Sequence, residues 1–366
     1  MKHVEPFFDC AGVIHIHTNA SDSEKELGEI LQVAESLGLD FLALGDHNVI
    51  NPEYRGMQSS VIIVSGLEYT PGYSFEYDEE GNQINFDAGP NHLLGIGVTA
   101  PGTGDFSIPQ ENIDTIAAQG GLSFLAHPAD YWLPWEEWQV ERYDGLEIWT
   151  YLSDWAESQV KRGLGAKALE SPDAVLSGPN QRIIEHWDEV GKQRRIIGIG
   201  STDSHSKMQK LGEEYHMVFP LDKELHSIRT HVLLKDALAD SRTEASAQIV
   251  EALSQGRCYI ALDSIANATG FQFWLETGGR RHDMGDEVDL RESHHKGILQ
   301  VRVPHSATIK VLFNGKVTHE EEDNQLKIPI QLESGVYRVE VWEKDRIWTL
   351  SNPIYLRSQL SSSPRS

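Results

Sequence analysis

Histidine and carboxylate residues recur through the first two-thirds of the sequence at places where an apolar strand pattern stops. In HIHT, His15 and His17 stand two apart, and Asp22 follows in the next turn. Side chains two apart on a strand share a face, so these two imidazoles could grip one metal ion. Asp46 and His47 end LALGDHN, Glu68 ends IIVSGLE and His92 precedes LLGIGV. His127 ends LSFLAHP, and Asp203 and His205 close the series in STDSH. Six of the 16 histidines thereby join three carboxylates in one ordered set. A lone histidine at a strand end is ordinarily a satisfied polar group. Reading all nine that way would cluster titratable groups without compensating charge, which is costly.

Imidazole and carboxylate without thiolate favour Mn²⁺, Fe²⁺ or Zn²⁺ over a Cys-rich structural site. Carboxylates can bridge, so two or three divalent ions are expected. Such ions lower the pKa of a bridging water and clamp a phosphoryl or carbonyl oxygen. The chemistry implied is hydrolysis with no side-chain nucleophile. No G-x-S-x-G elbow occurs, and neither Cys10 nor Cys258 has a recognisable catalytic setting. Asp46 should face away from His47 on a regular strand. It could orient a ligand, donate a proton or make a structural hydrogen bond. Glu147 could support a ligand from behind but reads first as a plain strand-end carboxylate, and Lys161, Arg162 and Lys207 read as solvated cations that could also anchor a phosphate. Five of nine Trp fall between Trp132 and Trp155; they could wall a pocket or pack a rim.

The elements that must position these groups alternate. Strands are expected near Gly12–His17, Phe41–Leu44, Val61–Val64, Leu93–Val98, Leu122–Ala126, Gly145–Trp149 and Arg195–Ile199. Helices are expected after a capping box at Ser23–Glu26, over Gln110–Gln119 and Asn180–Lys192, and near Ala245–Gln255. That rhythm predicts an α/β unit with a mostly parallel sheet over residues 1–263. Functional groups in such folds collect at the carboxyl ends of strands. His92 is the exception, lying before its strand. Asp78–Pro90 reads as a loop or hairpin insertion.

Over residues 264–357 the pattern becomes short alternating stretches: Gly270–Glu276, Ile298–Val303, Thr308–Phe313, Lys327–Leu332, Val336–Trp342 and Ile347–Tyr355. Turn signals such as Asn314-Gly315 lie between them, which predicts a β-sandwich. Glu320–Asp323 reads as an exposed turn, His294-His295 as a solvated loop, and residues 358–366 as a disordered tail.

The chain has 366 residues and a formal charge of −25. Its length suits two domains. Its acidity disfavours long nucleic acid and anionic membranes as partners but leaves a small anionic molecule open, since bound divalent metals can reverse the local field. Two cysteines make no disulfide framework, the start lacks an apolar leader, and no apolar run approaches 18 residues, so a cytoplasmic location is expected.

Taken in order, H-x-H-T, the D-H pair, the Glu, the lone His, H-P and the final D-x-H resemble the metal motifs of the PHP (polymerase and histidinol phosphatase) family. The resemblance covers about residues 10–262. LALGDHN, GLEIW and QGRCYIALDS further resemble its carbaryl-hydrolase-like branch. It implies a distorted (β/α)7 TIM-like barrel, followed here by a small Ig-like sandwich, and a trinuclear centre. His15, His17, Glu68 and Asp203 would hold one ion. Glu68 would bridge to a second with His92 and His127, and Asp22, His47 and His205 would hold the third. A metal-bound hydroxide would attack a phosphate mono- or diester, or a carboxylic ester or carbamate. The rival reading is a binding protein with a structural metal site.

Overall fold

The first long strand, β1 (Phe7–Ile16), is buried along nearly its whole length, as suits a strand covered on both faces. It pairs in parallel with β2 (Phe41–Leu44), and β2 pairs in parallel with β3 (Ile62–Val64). Helix α1 (Leu27–Ser36) connects the first two and buries Leu27, Ile30, Leu31 and Ala34 at helical spacing. In this computed structural model the chain is described over residues 1–77, 83–211, 214–218, 220–291 and 295–358. Part of the expected 78–90 insertion and most of the expected tail lie outside the described residues.

The capping box falls elsewhere than the sequence suggests. Helix α1 begins at Leu27, and the Glu26 backbone N–H donates to the Glu29 carboxylate at 3.2 Å. Ser23 instead donates its hydroxyl to the His205 carbonyl at 2.7 Å. A residue that fits a helix cap on local grounds is recruited by a chain segment 182 positions away.

A second sheet holds β4 (Gly66–Tyr69), β5 (Leu93–Ile96), β6 (Leu122–Leu125), β7 (Gly145–Thr150) and β8 (Ile197–Ser201) in that spatial order. β5 runs antiparallel to β4 and β6, whereas β6, β7 and β8 are mutually parallel. His92 therefore enters at the rim where the parallel strands end, which resolves its odd position. The sheets join on both sides. The Glu68 N–H donates to the Asp46 carbonyl (3.1 Å), and the His17 N–H to the Ser204 carbonyl (3.0 Å). The two sheets are thus bridged between the ends of β1 and β8 and between the ends of β2 and β4. Helices α2 (Pro109–Ala118), α3 (Tyr151–Val160), α4 (Gly165–Glu170) and α5 (Gln181–Gln193) occupy the connections. Helix α3 falls in the Trp-rich stretch and has no counterpart in the expected elements. No helix among the described residues is long and apolar enough to cross a membrane.

After the short helix α6 (Leu221–His226), β9 (Ile228–Leu234) pairs antiparallel with β1. Helix α7 (Arg242–Ser254) then leads to β10 (Cys258–Leu262), antiparallel to β9. The remaining principal strands are β11 (Gln272–Thr277), β12 (Lys296–Phe313), β13 (Lys316–Gln331), β14 (Gly335–Glu343), β15 (Arg346–Ser351) and β16 (Ile354–Arg357). β10 pairs with β15, so one hydrogen-bonded ladder continues from the N-terminal part into the C-terminal part. Two pairs of expected features merge here. Ile298–Val303 and Thr308–Phe313 form the single strand β12, with a register shift between Arg302 and Ala307. Glu320–Asp323 lie within β13 opposite Ala307–Lys310, not in a turn. Among the described residues β13 pairs only with β12, and acidic side chains on such an edge deter pairing with another chain. Asn314 and Gly315 have φ of 51° and 79°, as a two-residue hairpin turn requires.

A buried polar cluster fastens the segment between the two parts. His231 on β9 lies between two carboxylates, 2.8 Å from Asp9 through Nδ1 and 3.2 Å from Asp263 through Nε2. The Tyr259 hydroxyl and the Gly270 N–H both donate to Asp9 at 2.7 Å. Burial alone would lower the His231 pKa, but Asp9 and Asp263 raise it to about 10. A raised imidazole pKa stabilises the fold fully below the ordinary value of about 6.5, and the gain is lost as pH climbs through the folded value. The Tm difference between wild type and His231→Gln should therefore be widest near pH 6 and shrink toward about pH 10. A difference that stays constant across that range would contradict the assignment.

Candidate metal centre

The nine residues come from seven separate places in the chain, and the backbone is distorted where several of them sit. The β1–β2 register shifts between Ile14 and Ile16, and His15 has φ 68°. A bulge of this kind re-aims a side chain. The expectation of a regular strand that carries both His15 and His17 therefore fails in detail: His15 sits in the bulge and His17 lies just past the strand end. His127 (φ 28°) and Asp203 (φ 54°) also adopt left-handed backbone, which non-glycine residues hold only where the surroundings fix them. Gly45 makes room for the first imidazole, since a Cβ there would lie 2.6 Å from His15 Cδ2.

The side chains converge into three contiguous groups. His17, Asp22, His47 and His205 form one, His15, His17 and Asp203 a second, and Glu68, His92 and His127 a third; within each, the potential ligand atoms lie within 4.8 Å of one another. Glu68 is central. Its Oε1 is 3.0 Å from His92 Nδ1 and 3.1 Å from His127 Nε2, and its Oε2 is 2.8 Å from His47 Nδ1. Its Oε1 also lies 3.4 Å from His15 Nε2. Asp203 reaches His17 Nε2 at 3.1 Å, and Asp22 reaches His205 Nε2 at 3.2 Å.

Eight of these residues are buried and His205 is nearly so. His15 Nε2, His17 Nδ1, His92 Nε2 and His127 Nδ1 are buried without a hydrogen-bond partner among the described residues. Orphaned imidazole nitrogens beside carboxylates are costly unless something electron-poor sits between them. A divalent cation answers that need and suits this donor set.

The electrostatics are strongly polarised. Burial alone would raise the Glu68 pKa, yet His92, His15 and His127 hold it well below the usual carboxylate range. Asp203 and Asp22 are lowered against burial in the same way, chiefly by His15 and by His205 respectively. Burial takes His17 down to about 3, helped by His205 and His47. His127 moves up to about 10, because Glu68 and Asp203 outweigh its burial. Carboxylates that stay ionised beside a neutral His17, with a proton on His127 that an incoming cation would displace, form a cation-ready pocket.

No family model matches the chain, and no curated protein matches it. Solved structures align with it at low similarity, among them the following three. A two-domain protein from Bacteroides vulgatus, described as containing a predicted PHP-like metal-dependent phosphoesterase, aligns over 96% of this chain and 97% of its own, at 13% identity and TM-score 0.42. A candidate metal-dependent phosphoesterase from Bifidobacterium adolescentis aligns over 56% and 91%, at 15% identity and TM-score 0.34. An amidohydrolase from Chromobacterium violaceum with bound sulfate and no metal aligns over 57% and 92%, at 13% identity and TM-score 0.31.

Around the nine, further residues fix ring orientation. Glu147 Oε1 lies 2.8 Å from His15 Nδ1, and its Oε2 accepts the His127 backbone N–H at 2.6 Å. It is therefore more than the plain strand-end carboxylate its sequence position suggests, holding two ligand segments at once. The β7–β8 register shift between Glu147 and Trp149 accompanies it. Such partners are typically worth about 10–100-fold in metal affinity, so Glu147→Gln should weaken Zn²⁺ binding by about that factor. Competition against a chelating indicator measures it, and unchanged affinity would remove Glu147 from the centre. Thr70 Oγ1, 2.7 Å from His47 Nδ1, does a similar job. The sequence signal for Thr70 is only its place two residues after Glu68.

Asp46 accepts from the Thr18 N–H (2.7 Å), the Thr18 hydroxyl (2.9 Å) and the Ser21 hydroxyl (2.8 Å). These bonds tie down the turn that presents Asp22, a geometry that supports orientation over proton transfer. Arg162 and Lys161 do not converge on the site. Arg162 donates to the Val175 carbonyl at 2.7 Å and lies 3.4 Å from Asp154, while Lys161 pairs with Glu157 at 2.8 Å. The side chain of Lys207 lies outside the described residues. The aromatic segment divides. Trp135, Trp149 and Trp155 are buried in the core with Tyr143 and Tyr151, whereas Tyr131, Trp132 and Trp138 are exposed. In the C-terminal part, His294 lies outside the described residues and His295 is exposed.

Proposed function

We propose that this chain is a metal-dependent hydrolase of the PHP type, cleaving small phosphate mono- or diesters. The observation that carries the reading is the meeting of three ligand groups in one pocket with His17 common to two of them. The fold that goes with it is a distorted (β/α)7 barrel over residues 1–263 and an Ig-like sandwich over 264–357. The site would take two or three ions of Mn²⁺, Fe²⁺ or Zn²⁺, and the protein would work in the cytoplasm on a small-molecule ester.

Bound divalent ions would supply Lewis acidity and a water of lowered pKa. The chain's own residues supply the rest. Glu147 and Thr70 engage the Nδ1 atoms of His15 and His47, directing each Nε2 into the pocket. Glu68 and Asp203 remain anionic at all ordinary pH and so hold positive charge where a phosphoryl oxygen would dock. Burial keeps bulk water from competing for these groups.

The test is a parallel assay of metal-reconstituted protein on p-nitrophenyl phosphate, bis-p-nitrophenyl phosphate and a naphthyl carbamate. Turnover of either phosphate that disappears with chelator supports the proposal. Turnover of the carbamate alone would redirect it to carbonyl esters, and inertness toward all three would favour a structural metal site.

A further inference from the structure

Helix α6 places one carboxyl group in the interior beside the centre. Glu224 is fully buried, and its Oε2 accepts the Ser204 hydroxyl at 2.7 Å. Its Oε1 has no hydrogen-bond partner among the described residues. A buried carboxyl with an unmatched oxygen costs more than an apolar residue of the same size, so its place calls for a return elsewhere. Ser204 indicates where. It sits between Asp203 and His205, which belong to two different ligand groups. Its carbonyl accepts the His17 N–H and its own N–H donates to the His15 carbonyl at 3.2 Å. Four candidate ligands are thus connected through this one residue. The turn around it is held in an unfavourable shape, with Asp203 at φ 54° and Ser206 at φ 47°, and such a turn persists only where neighbours over-determine it. The Glu224 carboxyl also lies against the His205 backbone N–H.

We infer that Glu224 is a positioning residue: through Ser204 it fixes the turn that presents Asp203 and His205 to the metal ions. The inference rests on the metal-centre reading and adds to it a residue that contacts no ion.

The test titrates full-length protein, stripped with chelator, with Zn²⁺ alone and counts bound equivalents. Glu224→Ala and Ser204→Ala should each lose the zinc served by Asp203 and by His205, or bind it about tenfold or more weakly. Binding at the Glu68, His92 and His127 group and the Tm of the metal-free protein should stay at wild-type values. Glu224→Gln, whose amide oxygen still accepts from Ser204, should behave as wild type, and the double alanine variant should add nothing to the single ones. Wild-type Zn²⁺ binding in Ser204→Ala overturns the inference even where Glu224→Ala does not fold, and so does a Glu224→Gln protein as impaired as Glu224→Ala. A wild-type protein that binds no Zn²⁺ instead sinks the metal-centre reading on which the inference stands.

Discussion

Glu68→Gln should lose bound metal and turnover together, with kcat/KM on an active phosphoester falling by about 10³ or more. Glu68 is the carboxylate that touches the most imidazoles: His47, His92 and His127 within hydrogen-bond distance and His15 slightly beyond it. The amide keeps the volume and removes the negative charge. Stabilisation from a metal ion held in place is worth several kcal/mol, and each 1.36 kcal/mol is a factor of ten in rate. The metal-free variant should still fold, because the imidazoles left without a counter-charge can release their protons, but with a lower Tm than wild type at neutral pH. Elemental analysis after dialysis, with kinetics on the same sample, measures both halves of the expectation. Full metal content with full turnover would show that the cluster is not where hydrolysis happens.

Arg338→Ala should lower Tm by roughly 10 °C without changing metal content. Arg338 on β14 is buried and makes a two-pronged pair with Asp188 on α5, at 2.8 and 2.9 Å. Its third nitrogen donates to Glu340 at 2.6 Å. Truncating one partner leaves a buried carboxylate unpaired, which typically costs about 3–5 kcal/mol, and in chains of a few hundred residues each kcal/mol moves Tm by about 2–4 °C. Removing both charges, as in Arg338→Met with Asp188→Leu, should recover much of the loss. Differential scanning calorimetry on the three proteins checks the pattern. A single variant no worse than the double would mean the pair is solvated in practice.

The convergence of the nine side chains was largely readable from residue types because they sit at element ends, where a short sequence window contains both the strand and the group it delivers. HIHT, GDHN and STDSH each do so. What could not be read is the part set by partners distant in sequence. The bulge at His15 arises from pairing with β2, and the reversed direction of β5 from its neighbours on both sides. Glu147 and Glu224 look like many other carboxylates until the chain brings His15 and Ser204 against them. Ser23 illustrates the converse: its local pattern fits a helix cap, and a tertiary contact overrides it. In the C-terminal part the alternation located the strands but not their length, because charged residues on an edge strand look locally like a turn.

The ladder between β10 and β15 limits how this chain can be taken apart or recombined. Tyr259, Ile260 and Ala261 find their partners in Ser351, Leu350 and Thr349. Cutting the polypeptide after residue 263 would bare those backbone groups and create an adhesive flank that invites aggregation. A replacement module grafted at this point would have to offer a strand of matching direction and alignment, so the C-terminal portion is not a detachable appendage that evolution or an engineer could exchange at will.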